Sequence, residues 1–161
     1  MKEHQVALMT FGDAREHEWN NLFKGLTEPR HQQLAEALST LPIKLLSFEK
    51  VARSREEINQ QVDELKAAGA TAFIVHIPCW TSPNLVVHGV QRMDLPTALV
   101  SNRHPGTHGT VGLLGAGGAL DQIGYTHIRV REKIGAPEMA TKLLPFIRAA
   151  SAVSQLKGQV F

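Results

Sequence analysis

The stretch TAFIVHIPCWTSP, residues 71–83, decides how this chain is read. An apolar run over residues 72–77 stops at Pro78-Cys79-Trp80. Proline has no N–H to donate to a central ladder, so a buried strand ends there. The loop that follows carries a thiol and an indole at the carboxyl end of that strand. In open α/β sheets this edge is where ligands bind. Trp80 therefore reads either as a lid on a pocket or as an anchor for a partner.

Working outward, strand-like and helix-like segments alternate. Residues 5–11 form a first buried strand closed by Gly12-Asp13, and residues 42–48 a second. Residues 96–101 and 126–130 supply the fourth and fifth. Leu34, Ala37, Leu38 and Leu41 recur at helical spacing within residues 28–41. Ser54-Arg55-Glu56-Glu57 is a capping box, with Ser54 as N-cap and Glu57 reaching back to it. The helix it opens carries Ile58, Val62 and Leu65 on one face and stops at Gly69, a left-handed cap. A short helix or turn is expected over residues 82–92. The last helix covers residues 136–156, with Pro137 in its first turn and Pro145 expected to kink or restart it.

Five short strands separated by helices imply βαβ units and a parallel sheet with right-handed crossovers. The expected fold is α/β: a three-layer flavodoxin-like (Rossmann-like) domain with a five-stranded parallel sheet in the order 2-1-3-4-5. A TIM barrel needs more elements than the chain holds. Residues 1–161 contain no repeat and no low-complexity linker, so they read as a single domain.

Composition narrows the function classes. With 43% hydrophobic and 20% charged residues the chain is ordinary for a globular protein. A net charge of +2, from dispersed Lys and Arg residues, does not argue for nucleic acid. Cys79 is the only cysteine, so no intrachain disulfide is possible and a reducing cytoplasm is expected. The N-terminus lacks the pattern of a signal peptide, and no run approaches the roughly 20 apolar residues of a membrane helix.

Three loops, residues 12–16, 78–83 and 102–108, should meet at the carboxyl edge. They would bring Asp13, Arg15, Trp80, Asn102, Arg103, His104 and His108 to one rim. The Arg15 fork suits an anionic or polyhydroxyl ligand, and Trp80 could stack on the apolar face of a sugar ring or chain. The plainer alternative is an exposed polar rim with one packed indole. His104 and His108 stand four apart, but Pro105-Gly106 between them favour a turn, and no carboxylate lies nearby to complete a metal site. His76, inside the third strand, reads as a core histidine. Cys79 has no obvious partner base, and a reactive thiolate would need an electropositive setting.

Glycines at 106, 109, 112, 115, 117 and 118 invite a phosphate-loop reading, but their spacing fits neither the dinucleotide fingerprint nor the P-loop, and no lysine follows. They run through a helical stretch instead. A helical glycine costs about 1 kcal/mol relative to alanine, so close packing against the sheet or a second subunit is the expected reason.

Taken together, these residues resemble the amino-terminal part of the L-fucose/L-arabinose isomerase family, on its fucose isomerase branch. Ile77-Pro78-Cys79-Trp80 is the most specific match. Gly12-Asp13-Ala14-Arg15-Glu16 is similar to the family's Asp-Gly-Arg loop, with a changed order and an inserted alanine. Leu95-Pro96-Thr97-Ala98 and the terminal 148–153 and 156–158 segments complete a likeness that spans nearly the whole chain. The resemblance implies an aldose–ketose isomerase that uses a divalent metal, commonly manganese, with carboxylates moving a proton through an enediol.

In the family the metal ligands lie in later domains, so the resemblance implies that this chain binds no cofactor itself and holds neither catalytic nor metal-ligating residues. It also implies a homo-oligomer in which this domain covers a neighbour's active site. Trp80, Arg15 and Asp13 are the residues it assigns to the sugar, as substrate-facing and not catalytic. Val160-Phe161 looks like the start of another strand, which suits a domain cut from a larger isomerase or one piece of a split enzyme. Two other readings stay open: a stand-alone flavodoxin-like module binding a small anion or nucleotide, and an oligomerisation domain with the glycine-rich helix as interface. Against flavin, the first loop lacks the Ser/Thr-rich run that cradles a phosphate.

Overall fold

The strands are β1 (Gln5–Thr10), β2 (Lys44–Ser47), β3 (Ala72–His76), β4 (Thr97–Ser101) and β5 (His127–Arg131). In the computed structural model, which describes residues 4–157, they form one sheet in the order β2-β1-β3-β4-β5, every neighbour parallel. This is the α/β, flavodoxin-like order expected from the sequence. The three middle strands read as continuous apolar runs because both of their faces are covered.

Alternation of side chains along each strand feeds two cores. Met9, Phe73, Val75 and Leu99 face α3 (Arg55–Ala67), α4 (Pro83–Met93) and α5 (Gly109–Gln122). Leu8, Ile74, Ala98 and Val100 face α2 (Lys24–Ser39) and α6 (Pro137–Leu156). Leu8, Ile74 and Leu99 are wholly buried, and each such side chain stabilises the fold by roughly 1.5–3 kcal/mol. The capping box forms in full: Glu57 N–H donates to Ser54 Oγ at 3.2 Å, and Ser54 N–H donates to Glu57 Oε2 at 3.1 Å. Gly69 takes a positive φ of 85°.

Two segments depart from expectation. The helix expected from residue 28 belongs to a longer helical stretch that opens with α1 (Glu16–Glu18) and passes through a π-helical turn, Trp19–Phe23, into α2. Gly25 and Pro29 look like breakers in the sequence, yet Trp19 and Phe23 are buried and hold the turn in place. Pro145 does not restart α6, which runs on through it from Pro137 to Leu156. Pro145 is exposed, on the side of α6 away from the core, while Leu143, Ile147 and Ala150 stay packed on the sheet. The expected terminal strand at Val160-Phe161 lies outside the described residues.

Candidate functional site

β1 runs on through Phe11, which bridges Ala52, into Gly12. A Cβ at Gly12 would lie 2.8 Å from the Trp19 ring and 3.0 Å from Val51, so only glycine lets the chain turn here. Asp13 follows, 1% exposed. Its carboxylate accepts the Arg15 backbone N–H at 2.9 Å, Nε at 3.0 Å and Nη2 at 2.7 Å. Arg15 is thereby fixed in a bidentate fork, and this bond to Asp13 raises its pKa above the ordinary value. Glu18 Oε1 stands 3.3 Å from Arg15 Nη1. Contrary to the expectation from the sequence, the Asp13 side chain is not exposed on the rim; it is buried and directed at Arg15. Arg53 closes the loop from below, donating to the Asp13 carbonyl at 2.9 Å and lying 4.6 Å over the Trp19 ring.

The loop after β3 is tied to its neighbours on both sides. Thr81 Oγ1 donates to the Gly12 carbonyl at 3.1 Å. Trp80 N–H donates to the Thr107 carbonyl at 3.0 Å, and Cys79 pairs with His108 as an antiparallel bridge. Ser101 Oγ donates to the Ile77 carbonyl at 2.7 Å. These bonds bring half-buried Trp80 and exposed Arg15 to one cleft of about 420 Å³, shared with Glu18, Leu22, Phe23 and His108. The His108 ring stands edge-on to Phe23 at 6.2 Å. The cleft offers an apolar wall beside a fixed guanidinium and a carboxylate, a set suited to a polyhydroxyl ligand. Glu18 and Phe23 escaped the sequence reading because residues 16–23 were not recognised as helical; once they are, Glu18 falls one turn from Arg15.

Behind the loops lies a buried polar chain. His31 Nε2 is 2.6 Å from the Phe48 carbonyl, an atom that only accepts, so Nε2 carries the proton. Burial, opposed by this bond, lowers the His31 pKa and favours the neutral ring. Its Nδ1 then accepts from Thr10 Oγ1 at 2.7 Å, and Thr10 in turn accepts from His76 Nδ1 at 3.0 Å. This leaves His76 Nε2 an acceptor with no partner. Burial pushes the His76 pKa down to about 3, with the charges of His31 and Arg30 adding to the effect. Burial likewise pushes the Cys79 thiol up to about 11, so it stays protonated at neutral pH.

Asn102, Arg103 and His104 do not join Arg15 and Trp80. They line a separate cleft of about 500 Å³ with Arg30 and Lys133. The His104 ring turns back to accept the Gly106 N–H at 3.2 Å. Among the described residues no three His, Cys, Asp or Glu side chains gather as a metal ion would require. A further cleft of about 650 Å³, lined by Gln5, Lys44, Thr71 and Ser151, sits at the opposite, amino-terminal edge and offers a single charged group. No described helix is long and apolar enough to cross a membrane.

Comparison with known proteins finds one family. The model described as L-fucose isomerase, first N-terminal domain, matches residues 3–158, and the chain belongs to that family. No curated protein matches the chain.

Proposed function

We propose that this member of the L-fucose isomerase N-terminal domain family performs no bond-making step itself. It presents a sugar-contacting cleft, with assembly surfaces around it, to the catalytic part of an aldose–ketose isomerase. The observation that carries the reading is the pairing of Arg15, locked by buried Asp13, with Trp80 across one cleft. A fixed guanidinium donates to several hydroxyls at once, and an indole covers the C–H face of a sugar ring. Asp13 acts through Arg15 and does not touch the sugar. Family enzymes of this kind use a divalent metal, manganese by resemblance, to polarise the substrate's oxygens. The donor set that such an ion needs does not come together among the described residues.

Leu22 and Val111 line the cleft and are 59% and 52% exposed, and Leu114, one turn beyond Val111, is 57% exposed. Apolar area of this kind beside a binding cleft suits a neighbouring subunit of a homo-oligomer that completes the pocket. The buried free thiol of Cys79 accords with a reducing cytoplasm.

The chain, supplied with manganese and a panel of L- and D-aldoses, is expected to isomerise none of them. Measurable turnover would overturn the reading. In an enzyme that contains the catalytic part as well, Trp80→Ala is expected to lower kcat/KM by about tenfold or more, the equivalent of ~1.4 kcal/mol of lost transition-state binding. Unchanged kinetics in a folded variant would remove Trp80 from the site.

A further inference from the structure

The second cleft, between α2 and the loops that follow β4 and β5, has features that the sugar-contacting reading leaves unused. Its nitrogen-bearing side chains come from three separate elements: Arg30 from α2, Arg103 and His104 from the β4 loop, Lys133 from the β5 loop. No carboxylate lines it. Glu132, the nearest acid in sequence, is already paired with both Arg103, at 2.9 Å, and Lys142. Among the described residues no carboxylate pairs with Arg30 or Lys133. At the same place Asn102 is 95% buried, being only 5% exposed, and neither atom of its amide has a partner. Arg30 Nη1 is also buried without a partner. The strand pattern puts Thr10, His76 and Asn102 on the α2–α6 face, at the carboxyl ends of β1, β3 and β4. The cleft is thus the outlet of the polar end of that layer.

We infer that this cleft binds a phosphate group, either free phosphate or the phosphate of a small ester. Buried donors without partners are rare in folded proteins and call for an occupant. A tetrahedral oxyanion presents acceptors in several directions, which matches donors arriving from three elements better than a planar carboxylate does. Arg30 and Asn102 Nδ2 form the floor of the site, and exposed Lys133 and His104 close over the outer oxygens once the His104 ring leaves the Gly106 N–H. The cleft shares no residue with the one holding Arg15 and Trp80, so occupancy of one does not exclude the other.

The test is a titration of the whole chain with inorganic phosphate at constant ionic strength, followed by ¹H–¹⁵N spectra and thermal unfolding. Saturable shifts of the Asn102 side-chain amide are expected, with a rise in Tm. Arg30→Gln should weaken binding about tenfold and Lys133→Gln about threefold, since each removes a charge-assisted hydrogen bond. Lys66→Gln, on α3 across the sheet, should leave it unchanged. Tighter binding of a sugar phosphate than of phosphate would assign an ester, and equal binding would assign free phosphate. Absence of saturation, the same response to chloride, or an unchanged midpoint in Lys133→Gln would overturn the proposal. Lys133 is exposed, so that variant decides the matter even if Arg30→Gln fails to fold.

Discussion

His76 makes the acid limb of stability a property of single residues. Its ring is neutral in the folded chain, with a pKa pushed from 6.5 to about 3, while the unfolded chain takes up a proton near 6.5. The stabilising contribution is therefore complete above pH 6.5 and is lost as pH falls toward 3. The loss has a slope of at most ~1.4 kcal/mol per pH unit for one group. His31 shifts in the same direction and steepens the limb. Urea unfolding at several pH values should show this slope, and His76→Asn, which keeps a donor toward Thr10, should flatten it; an equal slope in the variant would count against the assignment. Asp13→Asn carries a second expectation: sugar affinity of the assembled enzyme should fall although Asp13 is buried, because Arg15 loses its fork. A KM that rises with circular dichroism unchanged would be the sign. The position of Trp80 in the loop after β3 was legible from the sequence because Pro78 forces the strand to stop just before it. The burial of Asp13 was not, since adjacency of Asp13 and Arg15 says nothing about which of the two faces water. The separation of Asn102 from Trp80 was equally hidden, because it depends on which side of the sheet each loop leaves.

At the level of elements, α5 shows two kinds of glycine. A Cβ at Gly112 would fall 2.9 Å from the Cys79 carbonyl and 2.9 Å from Ile77 Cγ2, whereas one at Gly118 meets nothing within 4 Å. Gly112→Ala should therefore cost about 1–3 kcal/mol through displaced backbone. Gly118→Ala should stabilise by roughly 0.5–1 kcal/mol through helix propensity alone. Thermal unfolding of the two variants should move in opposite directions. Ser54→Ala should cost about 1 kcal/mol by removing the cap of α3. The glycine-rich segment was read correctly as a packed helix because it lacked a phosphate-binding spacing. The helical stretch over residues 16–27 was missed because Gly25 and Pro29 weigh against a helix locally, while the burial of Trp19 and Phe23 that overrides them is tertiary.

For the molecule as a whole, the strand order was accessible from the alternation of elements, since parallel strands with short right-handed crossovers leave few arrangements. What surrounds the Arg15–Trp80 cleft in an assembly was not, because exposed Leu22, Val111 and Leu114 are scattered over two distant segments of sequence. The chain is expected to self-associate through this face, and Leu114→Glu should lower its solution mass without unfolding it. A mass unaffected by the substitution would place the interface elsewhere. The ties that join the loop after β3 to its neighbours, Trp80 N–H to Thr107 and Thr81 to Gly12, also bear on the heat of binding. Loops already ordered when the chain folds have little freedom left to surrender. Calorimetry on a ligand of this cleft should therefore register a small entropic penalty, and the Trp80 amide should exchange its hydrogen as slowly as those in the central strands.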